Sequence, residues 1–426
     1  MQITQLIFMV LNFGALTLLS AGSAISQPAY DDFTYGDNIK TVQMHVKGWE
    51  MSYPVIELGS REELVFSFDD LDGDVKNYQY SIILCNADWT PSSLFESDYI
   101  DGFYENQLDN YRLSFNTFTP YTHYSLSIPN YDVSLKLPGN YVIKVYKDFD
   151  PDQLVLTRRF MISEPRVKID ARVHLPHQTL HQYSAQQLTV NIFHKDLLIN
   201  DPYSELTVRI MQNGRKDTEI TGLKPTFIRP GEIVYEHEEK MIFPGGNEFR
   251  NFDTKSLRYL TEHLKNIDFS GGFNHVELYP SQSRQFTRYF SQHDINGRFL
   301  IRNEEGRNPS IDADYVMVYF TLPWELPVDN GNVYVLGALS DWNFYSHNEM
   351  FYNYESRAYE LSMLLKQGYY NYKYVYKQDG VSVSDETLFE GNFFETENDY
   401  FIMVYHRPPG SRHDRLVGTR QINSRN

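Results

Sequence analysis

The feature that most constrains the fold of this chain is a two-residue alternation of apolar and polar side chains, which returns along most of its length. Val42, Met44 and Val46 alternate with polar neighbours, and residues 64–68 repeat the pattern. Such alternation is typical of strands that bury one face. Turn-forming pairs such as Asp72-Gly73 separate successive strands. The sequence therefore predicts an all-β protein built from tandem immunoglobulin-like or early-set β-sandwich domains.

Aromatic residues and a single cysteine support this interpretation. The chain has 33 Tyr and 28 Phe, and such residues are enriched in strands. Cys85 is the only cysteine, so no intramolecular disulfide can form and the domains must be stabilised by packing. Within the run SIILCNAD, Cys85 is predicted to be a buried strand thiol.

The net charge of −18 limits the kinds of partner that the chain can bind. Nucleic-acid binding without sequence preference needs a basic face to contact the phosphates. An anionic membrane surface repels an acidic protein for the same reason. The composition therefore argues against both kinds of partner.

The N-terminus carries the pattern of an export signal. An apolar stretch from Leu6 to Leu19 is followed by the small residues 21–24, which predicts a signal peptide over residues 1–24. No later stretch approaches the roughly 20 apolar residues of a spanning helix, so the mature chain is predicted not to span a membrane.

Breaks in the strand pattern divide the chain. Glu164-Pro165 and the polar segment 303–310 interrupt the alternation, and a basic stretch without apolar periodicity follows Arg407. We expect this last stretch to be extended or disordered in isolation. The predicted units are an N-terminal sandwich at 38–164, a middle sandwich at 165–310, a C-terminal early-set-like sandwich at 311–406 and a basic tail at 407–426.

One segment departs from the strand pattern. Residues 254–266 place Leu257, Leu260 and Leu264 at helical spacing. The sequence therefore predicts one short helix in the middle domain.

An ordered string of unusual motifs makes the N-terminal domain recognisable. CNADWTPS begins at Cys85, YIDGF at Tyr99, NTFTPYTHYSLSIPN at Asn116 and GNYVIKVYKD at Gly139. This string resembles the N-terminal domain of type IX secretion system plug proteins, a Bacteroidetes family long known only as a domain of unknown function. The resemblance extends to the middle domain by order and length.

The resemblance implies a function without catalysis. Members of that family act in the periplasm, at the inner face of the outer membrane, where they occlude the large β-barrel translocon of the system by protein–protein contact. We therefore expect the translocon barrel as the partner, and no cofactor. A role as cargo of the same system is a further alternative, although the basic end of the chain is unlike a sorting domain.

The C-terminal domain shows a second, weaker resemblance. GNVYVLGALSDW from Gly331 and LKQGYYNYKYVYKQDG from Leu365 are similar to an early-set sandwich of the glycogen-binding type. In that family a Trp matching Trp342 stacks on sugar, and a Lys matching Lys373 donates hydrogen bonds to it. A second aromatic, usually Trp, is Tyr359 in this chain. Carbohydrate binding is therefore the main alternative function.

Four residues of the first domain are candidates for a partner-binding surface. Trp89, Tyr121, His123 and Tyr124 belong to the motifs that carry the resemblance, and Trp and Tyr dominate interface hot spots. The alternative is that Trp89 and the alternating tyrosines fill the sandwich core, and we favour that interpretation.

Two groups of residues could be taken for metal sites. Asp70, Asp72 and Asp74 are spaced like ligands of a calcium loop, but Ser81 stands at the twelfth position, where a bidentate Glu is needed. We therefore expect a plain hairpin turn here.

The histidines at positions 174, 177 and 181 are close in sequence, yet a strand end and a loop rarely direct three rings at one tetrahedral centre. Surface or capping roles are predicted for them.

The chain contains none of the short catalytic motifs of hydrolases or nucleotide-binding enzymes. It is predicted not to be an enzyme, and a hydrolase that uses scattered carboxylates across a domain interface is the remaining rival.

Overall fold

The structure, a computed structural model, describes residues 30–236 and 239–425. The predicted signal peptide over residues 1–24 lies outside the described residues. Strands hold 47% of the residues and helices 7%, which confirms the predicted all-β class. No helix within the two described ranges is both long and apolar enough to cross a membrane.

The first region contains twelve strands and one short helix among its described residues. The strands are β1 (Phe33–Thr34), β2 (Ile39–Val46), β3 (Val55–Glu57), β4 (Leu64–Asp70), β5 (Tyr78–Cys85), β6 (Ile100–Gly102), β7 (Glu105–Gln107), β8 (Tyr111–Leu113), β9 (Thr122–Ile128), β10 (Val133–Leu135), β11 (Gly139–Lys147) and β12 (Asp150–Ser163). The helix is α1 (Glu96–Tyr99).

Ten further strands follow in the described part of the middle region. They are β13 (Lys168–His174), β14 (Ala185–Phe193), β15 (Leu206–Gln212), β16 (Phe227–Arg229), β17 (Glu232–Tyr235), β18 (Ile242–Pro244), β19 (Arg250–Asp253), β20 (Leu264–Ser270), β21 (Phe273–Leu278) and β22 (Phe299–Ile301). The helical turns are α2 (Pro202–Glu205), α3 (Pro309–Asp312) and 3-10 turns at Thr179–His181 and Glu239–Met241.

The last seven strands lie in the described residues up to 425. They are β23 (Tyr315–Pro323), β24 (Gly331–Leu336), β25 (Glu349–Asn353), β26 (Ala358–Lys366), β27 (Gly368–Gln378), β28 (Asp399–His406) and β29 (Arg415–Asn423). The helical turns are α4 (Thr387–Glu390) and 3-10 turns at Ala338–Ser340 and Ser346–Asn348.

The first sandwich packs two mainly antiparallel sheets around an aromatic core. One sheet has the order β1-β12-β11-β5-β7, with β3 added alongside β12, and the other has the order β2-β4-β9-β8. The hairpin between β11 and β12 turns at Asp148 and Phe149, which both have positive φ, as a two-residue turn between twisted strands requires. Both sheets contribute to one core, which includes Phe66, Phe68, Tyr78, Tyr124, Tyr141 and Phe160.

The second sandwich is completed by the end of the chain. The sheet β13-β14-β17-β16, with β18 alongside β14, packs against a three-stranded sheet in the order β15-β28-β29. The basic segment at 407–426, which we expected to be extended or disordered in isolation, is extended in β29, where it pairs with β28 along the whole length of the strand. Leu416 and Val417 are buried in this strand, so their burial gives the basic segment a fixed place.

The third unit is a nine-stranded sheet with the order β19-β27-β24-β25-β26-β23-β21-β20 and with β22 alongside β27. Strands β19 to β22 precede residue 310, and the predicted boundary at that position therefore cuts through this sheet. Likewise β28 lies within the predicted range 311–406 but belongs to the second sandwich. Local sequence could not show this, because strand pairing between distant segments leaves no local pattern.

The predicted helix at 254–266 is also wrong. Leu264 begins strand β20 instead, and it pairs with Leu278 of β21. The residues before it form turns, in which the Asp253 carboxylate accepts a hydrogen bond from the Lys255 amide at 2.9 Å. Thr254 bonds to the backbone of Gly368. These tertiary contacts override a weak helical periodicity.

Candidate partner-contact surface

The motif CNADWTPS forms the turn that follows β5. Trp89 takes a left-handed backbone conformation, with φ of 67°, and its amide donates to the carbonyl of Asn86 at 2.9 Å. Its indole is buried together with Cys85, and the guanidinium of Arg159 lies 4.4 Å from the ring centroid. Trp89 therefore packs inside the protein rather than facing a partner, and Cys85 is buried as predicted.

The three other candidate residues lie on or beside β9 and also point inward. The hydroxyl of Tyr121 donates to the carbonyl of Ala313 at 2.9 Å, and Tyr124 stacks on Phe68 with 5.2 Å between ring centroids. Both tyrosines are fully buried. The Nδ1 atom of His123 lies 2.7 Å from a carboxylate oxygen of Asp69. None of the three presents its side chain as an open contact surface.

The loop before β9 does present aromatic residues to solvent. Phe115 is 71% exposed and Phe118 is 63% exposed. Phe118 contacts Phe269 of β20, with 4.5 Å between ring centroids, and Phe269 is itself half exposed. We call these three residues the aromatic patch. It joins the first sandwich to the third unit on one surface.

The backbone of the loop that carries Phe115 and Phe118 is held by the third unit. The carboxylate of Asp314 accepts hydrogen bonds from the amides of Phe118 at 2.8 Å and Thr119 at 3.0 Å. The amide of Phe115 donates to the carbonyl of Ile311 at 2.8 Å. Because a carboxylate satisfies two amides of the loop, the backbone that carries the exposed rings is fixed before any partner arrives. Such preorganisation lowers the entropic cost of binding.

A second exposed aromatic site lies in the motif YIDGF. Gly102 has φ of +114°, and a Cβ atom there would lie 2.1 Å from the carbonyl oxygen of Asp132, so this position requires glycine. The close approach lets the Phe103 amide donate to the same carbonyl at 2.9 Å. Phe103 then projects into solvent, and so does Tyr131, the residue before Asp132.

A buried polar network fastens the first sandwich to the third unit. Asp69 accepts from the Lys366 ammonium at 2.6 Å and from the Tyr315 hydroxyl at 2.7 Å. His123 contacts its other oxygen, and Thr41 is 2.6 Å from the Tyr315 hydroxyl. Burial raises the pKa of the Asp69 carboxyl, but Lys366 and His123 more than offset this and hold it below its usual value. The two units are therefore coupled by a satisfied ionic network.

The predicted sugar-binding residues are engaged in packing. Trp342 lies against Gly297, where an added Cβ would come 2.3 Å from the indole, and it makes an edge contact with Phe249. Lys373 is only 2% exposed, and its ammonium forms an ion pair of 2.9 Å with Glu386. Tyr359 is buried and accepts a hydrogen bond from a backbone amide at 2.6 Å. Lys373 and Tyr359 are therefore not accessible from the surface, whereas Trp342 is partly exposed.

The predicted acidic turn is neutralised from within the chain. Asp70, Asp72 and Asp74 are the one set of metal-ligand types that converges among the described residues. The Lys76 ammonium contacts all three carboxylates, at 2.8 Å from Asp70 and 3.6 Å from Asp74. This side chain occupies the position that a cation would take, as expected for a structural turn.

The histidines of the middle domain have separate contacts. His174 lies 3.0 Å from the Thr189 hydroxyl and 2.8 Å from the Leu175 carbonyl. His177 lies beside it, with 5.4 Å between ring centroids, and His181 ends a 3-10 turn on the surface. The arrangement fits the capping and surface roles predicted for them.

Sequence reasoning missed the exposed residues Phe103, Phe115 and Phe118. The sequence did indicate that Phe115 and Phe118 are exposed. They stand in the turn-rich segment SFNTFTP, which lacks the apolar alternation that predicts buried strand residues. It also missed Asp69 and Lys366, which are 297 positions apart and become partners only in the folded chain.

Comparisons with known proteins agree with this fold. Residues 39–164 match the family model described as the type 9 secretion system plug protein 1st domain. A crystal structure of a hypothetical protein from Parabacteroides merdae ATCC 43184 superposes with a TM-score of 0.90 at 37% sequence identity, over 93% of this chain and 100% of the other. No curated protein matches the chain. Together with the ordered motifs of the first sandwich, these findings show that the chain belongs to the family of type IX secretion system plug proteins.

Proposed function

We propose that this protein is a periplasmic plug that binds and occludes the outer-membrane translocon barrel of the type IX secretion system. The observation that carries the proposal is the match of residues 39–164 to the plug family's first domain. That family is a secretion-system family and not an enzyme family. We place the protein at the inner face of the outer membrane, where the barrel opens toward the periplasm.

A plug must resist deformation, and the contacts between units support this property. The Asp69–Lys366 network joins the first sandwich to the third unit. A separate apolar cluster, which contains Trp89, Met161, Phe401 and Tyr405, joins the first sandwich to β28. Well-packed interiors have low compressibility, so the first sandwich and the two units packed against it move together. A rigid body of this kind can block an opening by its shape.

The aromatic patch provides the proposed contact with the barrel. Aromatic side chains supply most of the binding energy at many interfaces when they enter apolar pockets of the partner. Phe115 and Phe118 are exposed on the same loop, and their backbone amides are bonded to Ile311 and Asp314, respectively. Phe103 gives a second exposed aromatic contact on the same sandwich. We propose that these residues, rather than the buried Trp89 and Tyr121, touch the translocon.

The test is recovery of the barrel from native membranes with the tagged protein. The double variant Phe115→Ser/Phe118→Ser should retain its fold, because both rings are exposed, and should recover at least about tenfold less barrel. The matched control is Phe286→Ser/Phe290→Ser, which removes two other highly exposed rings from another loop and should leave recovery unchanged.

Deletion of the protein provides an independent readout. An open translocon should admit large antibiotics that an intact outer membrane excludes, and the double variant at positions 115 and 118 should reproduce part of that sensitivity. The proposal fails if the wild-type protein recovers no barrel and its deletion causes no leak. Equal recovery by the two double variants would contradict the contact surface but not the plug function.

A further inference from the structure

A crevice runs between β2 of the first sandwich and the third unit. It consists of two adjoining cavities of about 380 Å³ and 270 Å³, and the larger lies within the size range of small-molecule sites. The larger cavity is mainly apolar, because Met317, Met363 and Tyr370 contribute to its walls. Both cavities share six residues: Asp37, Lys40, Thr41, Phe299, Leu339 and His347.

An irregularity in β2 places Lys40 at this crevice. The pairing of β2 with β4 shifts register between Lys40 and Gln43, so that an extra residue bulges from the strand. Thr41 at the bulge has φ of 51°, a conformation that is unusual for a β-branched residue. Its hydroxyl is held by the Tyr315 hydroxyl at 2.6 Å. Bulges commonly redirect a side chain, and this one directs Lys40 into both cavities.

The Lys40 ammonium has no ion pair or hydrogen bond with any residue in the described part of the chain. The carboxylates that influence it, Asp37 and Asp341, act only at longer range. Asp341 is committed to Arg158, whose guanidinium lies 2.8 Å away, and Asp37 is exposed at the rim. Burial lowers the pKa of Lys40, which is the expected response of an ammonium that lacks a counter-ion.

These features together define the chemistry of a ligand. An apolar wall excludes a strongly hydrated ion, and a single ammonium cannot neutralise a multiply charged phosphate. We propose that the crevice binds an apolar acid, with its carboxylate on the Lys40 ammonium and its apolar part beside Phe299, Leu339 and Met363. The ligand is either a free fatty acid or the C-terminal carboxylate of a protein that ends in an apolar residue. This proposal does not depend on the plug function.

Calorimetric titration of the whole protein with decanoate tests the site. The wild type should bind decanoate, and Lys40→Met, which keeps the length of the side chain, should weaken binding by at least about tenfold. The matched control is Lys47→Met, because Lys47 stands just past the other end of β2 and pairs with Glu63 in solvent. This variant should bind as the wild type does. Decanol, which lacks the charge, should be insensitive to Lys40→Met.

The two sources of the carboxylate are then separated by competition. A tripeptide of leucines with a free carboxylate should displace decanoate if a protein terminus fits, whereas its C-terminal amide should not. Displacement by the acid alone supports a peptide ligand, and decanoate binding without displacement supports a fatty acid. The proposal is overturned if neither acid binds, or if Lys40→Met and Lys47→Met bind decanoate equally well.

Discussion

Replacing Lys366 by Met removes the cation from the buried network between the first sandwich and the third unit. Lys366 and its partner Asp69 have almost no solvent exposure, and the ion pair is 2.6 Å long. Methionine keeps most of the volume of the lysine side chain, so the change mainly deletes the charge. Asp69 then remains buried with only the Tyr315 hydroxyl and His123 as partners.

Breaking a buried ion pair by removing one member typically costs about 3–5 kcal/mol, because the other charge stays buried without its counter-ion. Two remaining hydrogen-bond partners of Asp69 favour the lower end of that range. We therefore expect the free energy of unfolding to fall by about 3 kcal/mol. At about 2.1 cal/mol/K of unfolding entropy per residue, a chain of 426 residues that unfolds as one unit loses about 1 °C per kcal/mol, so the melting temperature should fall by about 3 °C.

The assay is thermal and urea unfolding followed by tryptophan fluorescence and circular dichroism. Lys265→Met is the matched control, because Lys265 pairs with Glu277 at the same distance of 2.6 Å while both side chains are nearly half exposed. An exposed pair contributes less than about 1 kcal/mol. The double variant Asp69→Asn/Lys366→Met removes both charges and should recover part of the loss. Equal destabilisation by Lys366→Met and Lys265→Met would refute the reasoning.

Two further predictions concern stability. Burial raises the pKa of Glu390, but the nearby guanidinium groups of Arg250 and Arg284 lower it to about 2. The ionised Glu390 carboxylate therefore stabilises the folded protein fully above pH 4.5, and this contribution is lost as the pH falls toward 2. Glu390→Gln should reduce that acid dependence in urea titrations at successive pH values, and an unchanged pH profile would contradict the assignment. Gly297→Ala should lower the melting temperature by more than Gly231→Ala. Both glycines have φ near +77°, but only at Gly297 would the added Cβ meet a close neighbour, an atom of Trp342 at 2.3 Å. Equal losses in melting temperature would show that this clash is relieved.

Strands and turns were largely accessible from the sequence. Alternation at residues 42–46 and 64–68 predicted strands that the structure contains as β2 and β4. The failures occurred where strand pairing and burial decide the local conformation. The helical spacing at 254–266 gave way to pairing with β21, and the basic end of the chain was ordered by pairing with β28. In both cases the partner is the neighbouring strand along the chain, but neither segment shows the strict apolar alternation from which a strand is predicted.

The candidate site was only partly predictable, because sequence motifs mix core residues with surface residues. Tyr121 and Phe118 stand three positions apart in one motif, yet one is buried and the other is largely exposed. The aromatic type of both residues was visible, but the direction of each side chain was not. The direction depends on Asp314, which arrives from the third unit to fix the loop.

The sequence by itself determined the all-β class, the absence of an internal disulfide and the membership of the first domain in its family, because alternation, cysteine count and ordered motifs are local properties. Only the tertiary structure decided which strands complete which sandwich, which aromatic residues reach solvent and where Lys40 faces a cavity without a counter-ion. Those properties depend on contacts between residues such as Asp69 and Lys366, which lie 297 positions apart. Burial and pairing at such separations arise only when the whole chain has folded.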